Sequence, residues 1–401
     1  MGFKKNNISA LVDDSHCMGC SLCADVCRHG AVGMSLNADG YLRATVDADR
    51  CTDCGLCVKL CPALNGDRGE TSGRPRAYYA WHANVAELHR SSSGGIAYVL
   101  GRMFVERGAV VYGCKWDNGR VVFARAETMD ALETFRGSKY LQPMAAGIYK
   151  DVRSAIRSGR EVLFVGLPCH VRALRNYVAS DRLVTVDVLC AGVPSRLLFD
   201  GYCRWGFAGK RVTSVDFRAK DNGWRNSTVK VYSGNRQLLA EGRHLNRLFL
   251  GFNSGLLYNA ACYGCHLNTL PRQGDISLGD YWRAPAGRDN TYGCSLVLAN
   301  TARGQELVSA LHRHGVVCHE IALADALAGN CRMDSDHRDM PAERADALRL
   351  LRQSGFKKAS DRYFRPPSMS GQMLGRLRSM VAAVLARLCR RCGKQTGLMS
   401  R

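Results

Sequence analysis

The stretch that decides the fold is CMGCSLCADVC, Cys17 to Cys27, together with its echo CTDCGLCVKLCP, Cys51 to Pro62. Each is a C-x2-C-x2-C-x3-C run, and the second repeats the first at an offset of 34 residues. Three cysteines at this spacing wrap one 4Fe-4S cube on a tight loop. The fourth sits at the start of a helix and points away, so in a two-cluster arrangement it serves the opposite cube. That rule assigns Cys17, Cys20, Cys23 and Cys61 to one cluster and Cys27, Cys51, Cys54 and Cys57 to the other. A structural zinc site accounts for one or two CxxC pairs but not for eight cysteines in two copies of this run.

Working outward, GMSLNADGYLRATV between the two sets reads as two short alternating strands joined by the turn residues Asn37 to Gly40. Arg28 stands where such modules usually carry proline after the fourth cysteine, a change to the cluster's surroundings rather than to its ligand count. NGDRGETSGRPR, Asn65 to Arg76, reads as a linker and ends the module near residue 70. The whole chain has 401 residues, 46% of them apolar, which excludes a mostly disordered protein. No run is apolar enough for a membrane span or a secretory signal, and this places the chain in the cytoplasm. Nineteen cysteines in a reducing compartment point to metal or redox chemistry rather than disulfides. The formal charge of +21 suits nucleic acid, an anionic membrane surface or an anionic substrate or cofactor. No helix-turn-helix or RNA-binding motif appears, so nucleic acid is not expected as a partner.

The middle of the chain reads as a mixed α/β body. AYYAWH, EVLFVG, LVTVDVLC, RVTSVDF and DISLGD are β-rich runs separated by helical stretches. DNG at 117–119, between AVVYGCKW and RVVFARA, is a hairpin signal. SSSGG, Ser91 to Gly95, opens an apolar helical run; it reads equally as a phosphate- or flavin-edge loop and as a plain helix cap.

Six motifs in order carry a resemblance: SSSGG at 91–95, GSKYLQ at 137–142, VGLPCHVRAL at 165–174, VDVLCAGVPS at 186–195, FRAKDNGW at 217–224 and CYGCHLNTLPRQGDISLGDYW at 262–282. Over about 77–330 the chain resembles the coenzyme F420 hydrogenase/dehydrogenase beta-subunit family of iron–sulfur flavoproteins, in the bacterial form with a fused N-terminal two-cluster ferredoxin domain. The implied fold is an α+β ferredoxin-like two-cluster module, a mixed α/β flavin-binding body and a helical C-terminal tail. The implied domains are 1–70, 75–160, 161–333 and 334–401. The resemblance implies a flavin, FAD before FMN, bound at Ser92, Ser93, Gly94 and Gly95. Lys139 is its cationic partner, and Asp275, Asp280 and Trp282 lie on the cofactor-facing loop. Cys169, Cys190, Cys262 and Cys265 occupy family motifs and would offer four thiolates to a third cluster if the strand ends and the CxxC converge. The alternatives are a zinc site and ordinary buried cysteines. His170 stands where the family commonly has glutamine, and Ala191 where it has histidine; His170 is a candidate proton donor near the flavin. Cys114, Cys203, Cys294, Cys318 and Cys331 receive no role.

Beyond RPPSMSG, Arg365 to Gly371, the run QMLGRLRSMVAAVLARLCRRCGK reads as a basic amphipathic helix suited to an anionic membrane face or to docking on protein. Its Cys389 and Cys392 read as unligated. The function expected is a reductase. A soluble ferredoxin or other low-potential donor supplies single electrons, the clusters carry them, and a flavin reduces a substrate, a glycan or lipid-linked precursor of surface polysaccharide by family context. The alternative is an electron-relay subunit of a hydrogenase or dehydrogenase complex, or a reductase of coenzyme F420.

Overall fold

The computed structural model describes residues 6–13, 15–65, 74–283, 292–330 and 339–367. In the ferredoxin-like N-terminal region the sequence repeat becomes a backbone repeat. Gly19 and Ser21 adopt left-handed φ of 66° and 70°, and Asp53 and Gly55, the matching positions of the second run, adopt 49° and 73°. Each pair turns a ligand loop into a short helix, Leu22–Val26 and Leu56–Lys59. Between them β1 (Val32–Leu36) and β2 (Leu42–Val46) pair antiparallel.

The body is built on one mixed sheet. Its strands are β3 (Arg76–His82), β4 (Val110–Asp117), β5 (Arg120–Ala126), β6 (Val162–Gly166) and β7 (Leu183–Val188). A separate antiparallel sheet holds β8 (Ser214–Ala219), β9 (Thr228–Ser233) and β10 (Arg236–Gly242), and the chain then returns to the large sheet with β11 (Ile276–Asp280), β12 (Ser295–Ala299) and β13 (Val316–Ile321). The large sheet runs β13-β3-β12-β11-β7-β6-β4-β5. Its middle, β4 to β6 to β7 to β11, is parallel, and its margins are antiparallel. Apolar runs such as VLFVG suit strands buried on both faces, as a parallel sheet requires. The DNG hairpin has both Asn118 and Gly119 at positive φ, 49° and 79°, as a tight two-residue hairpin turn requires.

Strand alternation decides which layer meets which. Along β4 and β6, Val110, Tyr112, Val162 and Phe164 face one way and Val111 and Leu163 the other. The second set packs on the helix Ile96–Glu106. The first set packs on helices Ile148–Arg157 and Pro168–Tyr177, and in the same cluster on Ile8, Leu22 and Val26 of the ferredoxin-like module. The module therefore shares the core of the body rather than hanging from it.

The helix Arg344–Tyr363 buries Leu348, Leu351 and Phe356 in the cluster it shares with helix Arg196–Gly206, with Phe356 against Tyr202 and Trp205, so this part of the segment assigned to a tail is body. The amphipathic run expected after residue 371 lies outside the described residues, as do Cys331, Cys389, Cys392 and most of the 65–76 linker. Among the described residues no helix is long and apolar enough to cross a membrane.

Candidate iron–sulfur centres and cofactor cavity

The crossed ligand rule can be compared with where the thiols sit. Cys17, Cys20, Cys23 and Cys61 line one small cavity of about 20 Å³, together with Met18, Met34 and Ile8. Three come from the first run and one from the second. Burial first, and then the neighbouring thiols, push Cys20, Cys23 and Cys61 above the ordinary thiol range. Such a set is costly as four free thiolates, and an iron–sulfur cube that takes all four removes that cost. In the other set Cys57 is buried while Cys54 is exposed, and the Ala31 N–H donates to Cys27 Sγ at 3.3 Å. One set thus reaches solvent and the other faces inward.

The inner ligand loop is held by the body at nearly every carbonyl. The Tyr149 hydroxyl donates to Cys20 O at 2.8 Å, Gln142 Nε2 to Met18 O at 3.1 Å, and Asn259 Nδ2 to Cys17 O at 2.9 Å. Asp25 accepts from the N–H groups of Gly147 and Tyr149, 2.6 and 3.0 Å, at the N-terminus of helix Ile148–Arg157, a position that favours a carboxylate.

Beyond Met18 a second small cavity, about 50 Å³, is lined by Cys169, Cys190, Cys262 and Cys265. They reach it by three routes: the first turn of helix Pro168–Tyr177 just after β6, the loop after β7, and the short 3-10 turns before β11. Adjacency of β6 and β7 in the sheet brings the first two together. Burial, then Cys20, Cys265, Cys190 and Cys262, push Cys169 well above the ordinary thiol range. Cys20 of the inner set is therefore a near neighbour. The Asn268 side chain clamps Cys190, accepting from its N–H at 3.3 Å and donating to its carbonyl at 2.8 Å. Asn268 also accepts from Arg272, whose ion pair with Asp187 at 2.5 Å is wholly buried. The Val193 N–H donates to Cys262 Sγ at 3.4 Å. Four thiols, an N–H donor to one sulfur and a braced loop suit a third cube. No three His, Cys, Asp or Glu side chains among the described residues close around one point as a lone metal ion requires.

Leu167, Cys190, Ala191, Gly192 and Val193 line this cavity on one side and a far larger one, about 450 Å³, on the other. That volume is in the range of cofactor sites. Ser92, Ser93 and Gly95 line it, at the start of helix Ile96–Glu106. Gly94 is pressed against the sheet, where a Cβ would collide with the Ala80 carbonyl, and Gly95 has φ +86°. The serines are engaged: Ser92 Oγ accepts from the Ser138 N–H at 2.7 Å, and Ser93 Oγ donates to Cys294 O at 2.9 Å. The loop is thus a preformed wall rather than a slack glycine turn.

Lys139 lines the cavity, but its ammonium donates to Phe135 O, Arg136 O and Gly137 O, and burial lowers its pKa to about 8. It fastens a turn instead of standing free for a phosphate. Asp280 and Trp282 line the cavity; Asp275 does not, because it sits at the opposite end of β11, where it accepts from Thr185 and pairs with Arg175 at 2.9 Å. His170 is 1% exposed, packs on Phe123 and is absent from the walls of both cavities. Burial lowers its pKa to about 3, so it is neutral, and the role of proton donor to the cavity is withdrawn.

Two family models match the chain. Residues 16–65 match the 4Fe-4S dicluster domain. Residues 159–322 match the C-terminal region of the beta subunit of coenzyme F420 hydrogenase/dehydrogenase. The chain thus carries a 4Fe-4S dicluster domain at 16–65 and, at 159–322, the C-terminal domain of this beta-subunit family. It is accordingly an iron–sulfur electron-transfer protein of the oxidoreductase type. A chain of the F420-reducing NiFe hydrogenase complex from Methanosarcina barkeri is similar at 17% identity and a TM-score of 0.43, over 71% of this chain and 90% of that one. No curated protein matches.

Several cavity-lining residues of the body have no site role in the sequence motifs. Arg218, Arg243, Tyr140 and Cys114 all line the large cavity. Arg218 lies inside the FRAKDNGW motif, where an alternating strand with charges reads as a solvated face. Arg243 and Met18 carry no sequence signal at all.

Proposed function

We propose that the protein is a ferredoxin-linked reductase in which three cysteine sets lead to a flavin in the 450 Å³ cavity. The observation that carries this reading is the shared walls. Met18 belongs to both small cavities, and Cys190 and Gly192 belong to both the second small cavity and the large one. The outward set Cys27, Cys51, Cys54 and Cys57 offers an exposed thiol position to a donor, and the buried sets follow in order toward the cavity. When bound, the clusters carry single electrons and the flavin, FAD in this reading, pairs them for a two-electron reduction.

The residues of the chain position and insulate. Gly192, at φ +133° against the Tyr258 ring, lets the Cys190 loop pass between the two cavities. Val165, Leu167 and Leu278 make an apolar wall, while Ser92, Ser93 and Gly95 edge the other side. The substrate class that family context favours is a glycan or lipid-linked precursor on the cytoplasmic side. The family description also supports a second reading, a relay subunit that serves a partner enzyme or reduces coenzyme F420; a stable partner recovered by pull-down from native extract would favour it.

Anaerobic purification with metal, sulfide and flavin analysis tests the proposal. The expected result is about twelve irons per chain and close to one flavin, both bleached by a low-potential donor. About eight irons removes the third set, and protein that holds its irons yet retains no flavin defeats the reductase reading.

A further inference from the structure

Arg218 on β8 is 6% exposed and lines the large cavity. Its Nη1 donates to Asp280 Oδ2 at 3.0 Å and to the Tyr140 hydroxyl at 3.3 Å. Its Nε and Nη2, the two donors on one edge of the guanidinium, are buried and find no acceptor. Buried donors without acceptors are rare because each forfeits its hydration.

Arg243 lines the same cavity and forms no ion pair among the described residues. Burial, and then the charge of Arg218, lower its pKa. Lys220 follows β8, and burial and Arg218 lower it to about 7; Arg225 adds a further positive charge felt at Arg243. The carboxylates facing this group are Asp280 and Asp216, and burial raises the latter. Of these groups Arg218, Arg243 and Asp280 line the cavity, so this wall of a space large enough for a cofactor carries two guanidinium groups against one carboxylate. Flat rings stand beside it: Trp282 stacks on Trp224 at 4.3 Å, and Tyr140 on Phe252 at 4.2 Å.

We propose that Arg218 and Arg243 form a subsite for a phosphate group of the cavity's ligand. A guanidinium edge with two donors matches two oxygens of such a group, and a second arginine suits its second charge. Asp280 orients Arg218, and the stacked rings flank the group the phosphate belongs to. The phosphate has two possible sources, the diphosphate of a bound flavin or a phosphorylated substrate beside it. The subsite deepens the cavity reading above and rests on it only in placing a ligand there.

The test titrates full-length protein, with clusters reconstituted anaerobically, with inorganic pyrophosphate by calorimetry, both flavin-free and FAD-loaded. Flavin-free protein should bind; Arg243→Gln should weaken binding at least about tenfold, and Arg243→Lys, which keeps the charge, by about threefold or less. Binding that vanishes on FAD loading assigns the subsite to the flavin diphosphate; binding that persists assigns it to a phosphorylated substrate. Wild-type protein that binds pyrophosphate in neither form, or Arg243→Gln that binds like wild type, overturns the proposal. Protein that binds pyrophosphate through Arg243 but takes up no FAD sinks the flavin reading alone.

Discussion

Asn259 ties the ferredoxin-like module directly to the body. Its side chain is fully buried, accepts from Arg43 Nη2 at 3.0 Å and donates to Cys17 O at 2.9 Å. Its own carbonyl accepts from the Cys262 N–H. One residue thus touches a ligand residue of the inner set through its side chain and, through its backbone carbonyl, the turn that carries the CxxC of the third. Asn259→Ala leaves the Cys17 carbonyl only the long 3.4 Å bond from Arg43 Nη1, costing about 1–3 kcal/mol, and removes an acceptor from that charged donor, costing about as much. Arg43 keeps its bond to Leu42 O at 2.9 Å, which places its share at the low end. The sum is about 3 kcal/mol, or roughly 6 °C in Tm at about 2 °C per kcal/mol for a chain this size. The assay is an anaerobic melt followed by circular dichroism at one scan rate for wild type, Asn259→Ala, Arg43→Met and the double variant. If the two residues act as one bridge, the double variant should be more stable than additivity predicts by about 1–2 kcal/mol. Additive losses, or an Asn259→Ala melt within about 1 °C of wild type, would refute the bridge and leave the shared core alone to hold the module.

Crossed ligation predicts a pattern of iron loss. Cys17→Ser/Cys61→Ser should lose about four irons, one cube, whereas Cys17→Ser/Cys27→Ser should lose about eight; the reverse pattern in iron analysis means uncrossed cubes. Gly192→Ala forces a left-handed backbone on an alanine and drives its Cβ into the Tyr258 ring. It should cost about 3 kcal/mol and release the irons of the third set before the others, as read by iron content and electron paramagnetic resonance. Lys220 titrates at about 7 folded, against 10.5 ordinarily, because burial and Arg218 disfavour its charge. Between those values the unfolded chain binds the extra proton, so this group's contribution to stability rises with pH, by at most about 1.4 kcal/mol per unit. The Tm advantage of wild type over Lys220→Met should then be larger at pH 9.5 than at pH 7. Taking the difference cancels the titration of the thiols common to both.

What was legible in the sequence was local. The eight module cysteines follow from spacing, and the backbone repeats the same left-handed residues in both loops because the ligand geometry is the same. The Asn118–Gly119 turn is equally local. The meeting of Cys169, Cys190, Cys262 and Cys265 is not local. Strand ends place the first two, but only the pairing of β6 with β7, and of β7 with β11, brings the loops to one point. RVTSVDF shows the period of a strand and nothing about which sheet it joins; it opens the smaller antiparallel sheet. Asp275 and Asp280 flank one short strand, and its length carries one to the cavity and leaves the other at the far edge. Lys139 shows the same limit, since three carbonyls of its own turn take up its charge.

The docking of the module also bears on the electronic properties of its inner set. Cluster potentials respond to hydrogen bonding and burial around the sulfurs. Here the carbonyls of Cys17, Met18 and Cys20 are each fixed by a body residue, Asn259, Gln142 and Tyr149 respectively. A free carrier of the same sequence would turn those carbonyls to water, and its ligand loop could relax. Tyr149, fully buried, grips the module twice, donating its hydroxyl to Cys20 O and its N–H to Asp25. Tyr149→Phe deletes only the hydroxyl and leaves the Cys20 carbonyl without its donor, a loss of about 1–3 kcal/mol. Since that carbonyl belongs to a ligand residue, the midpoint potential of one cube should shift while the solvent-facing cube holds its own, in an anaerobic redox titration read by electron paramagnetic resonance. Equal shifts in both cubes, or none in either, would mean that the body grips the module without tuning it.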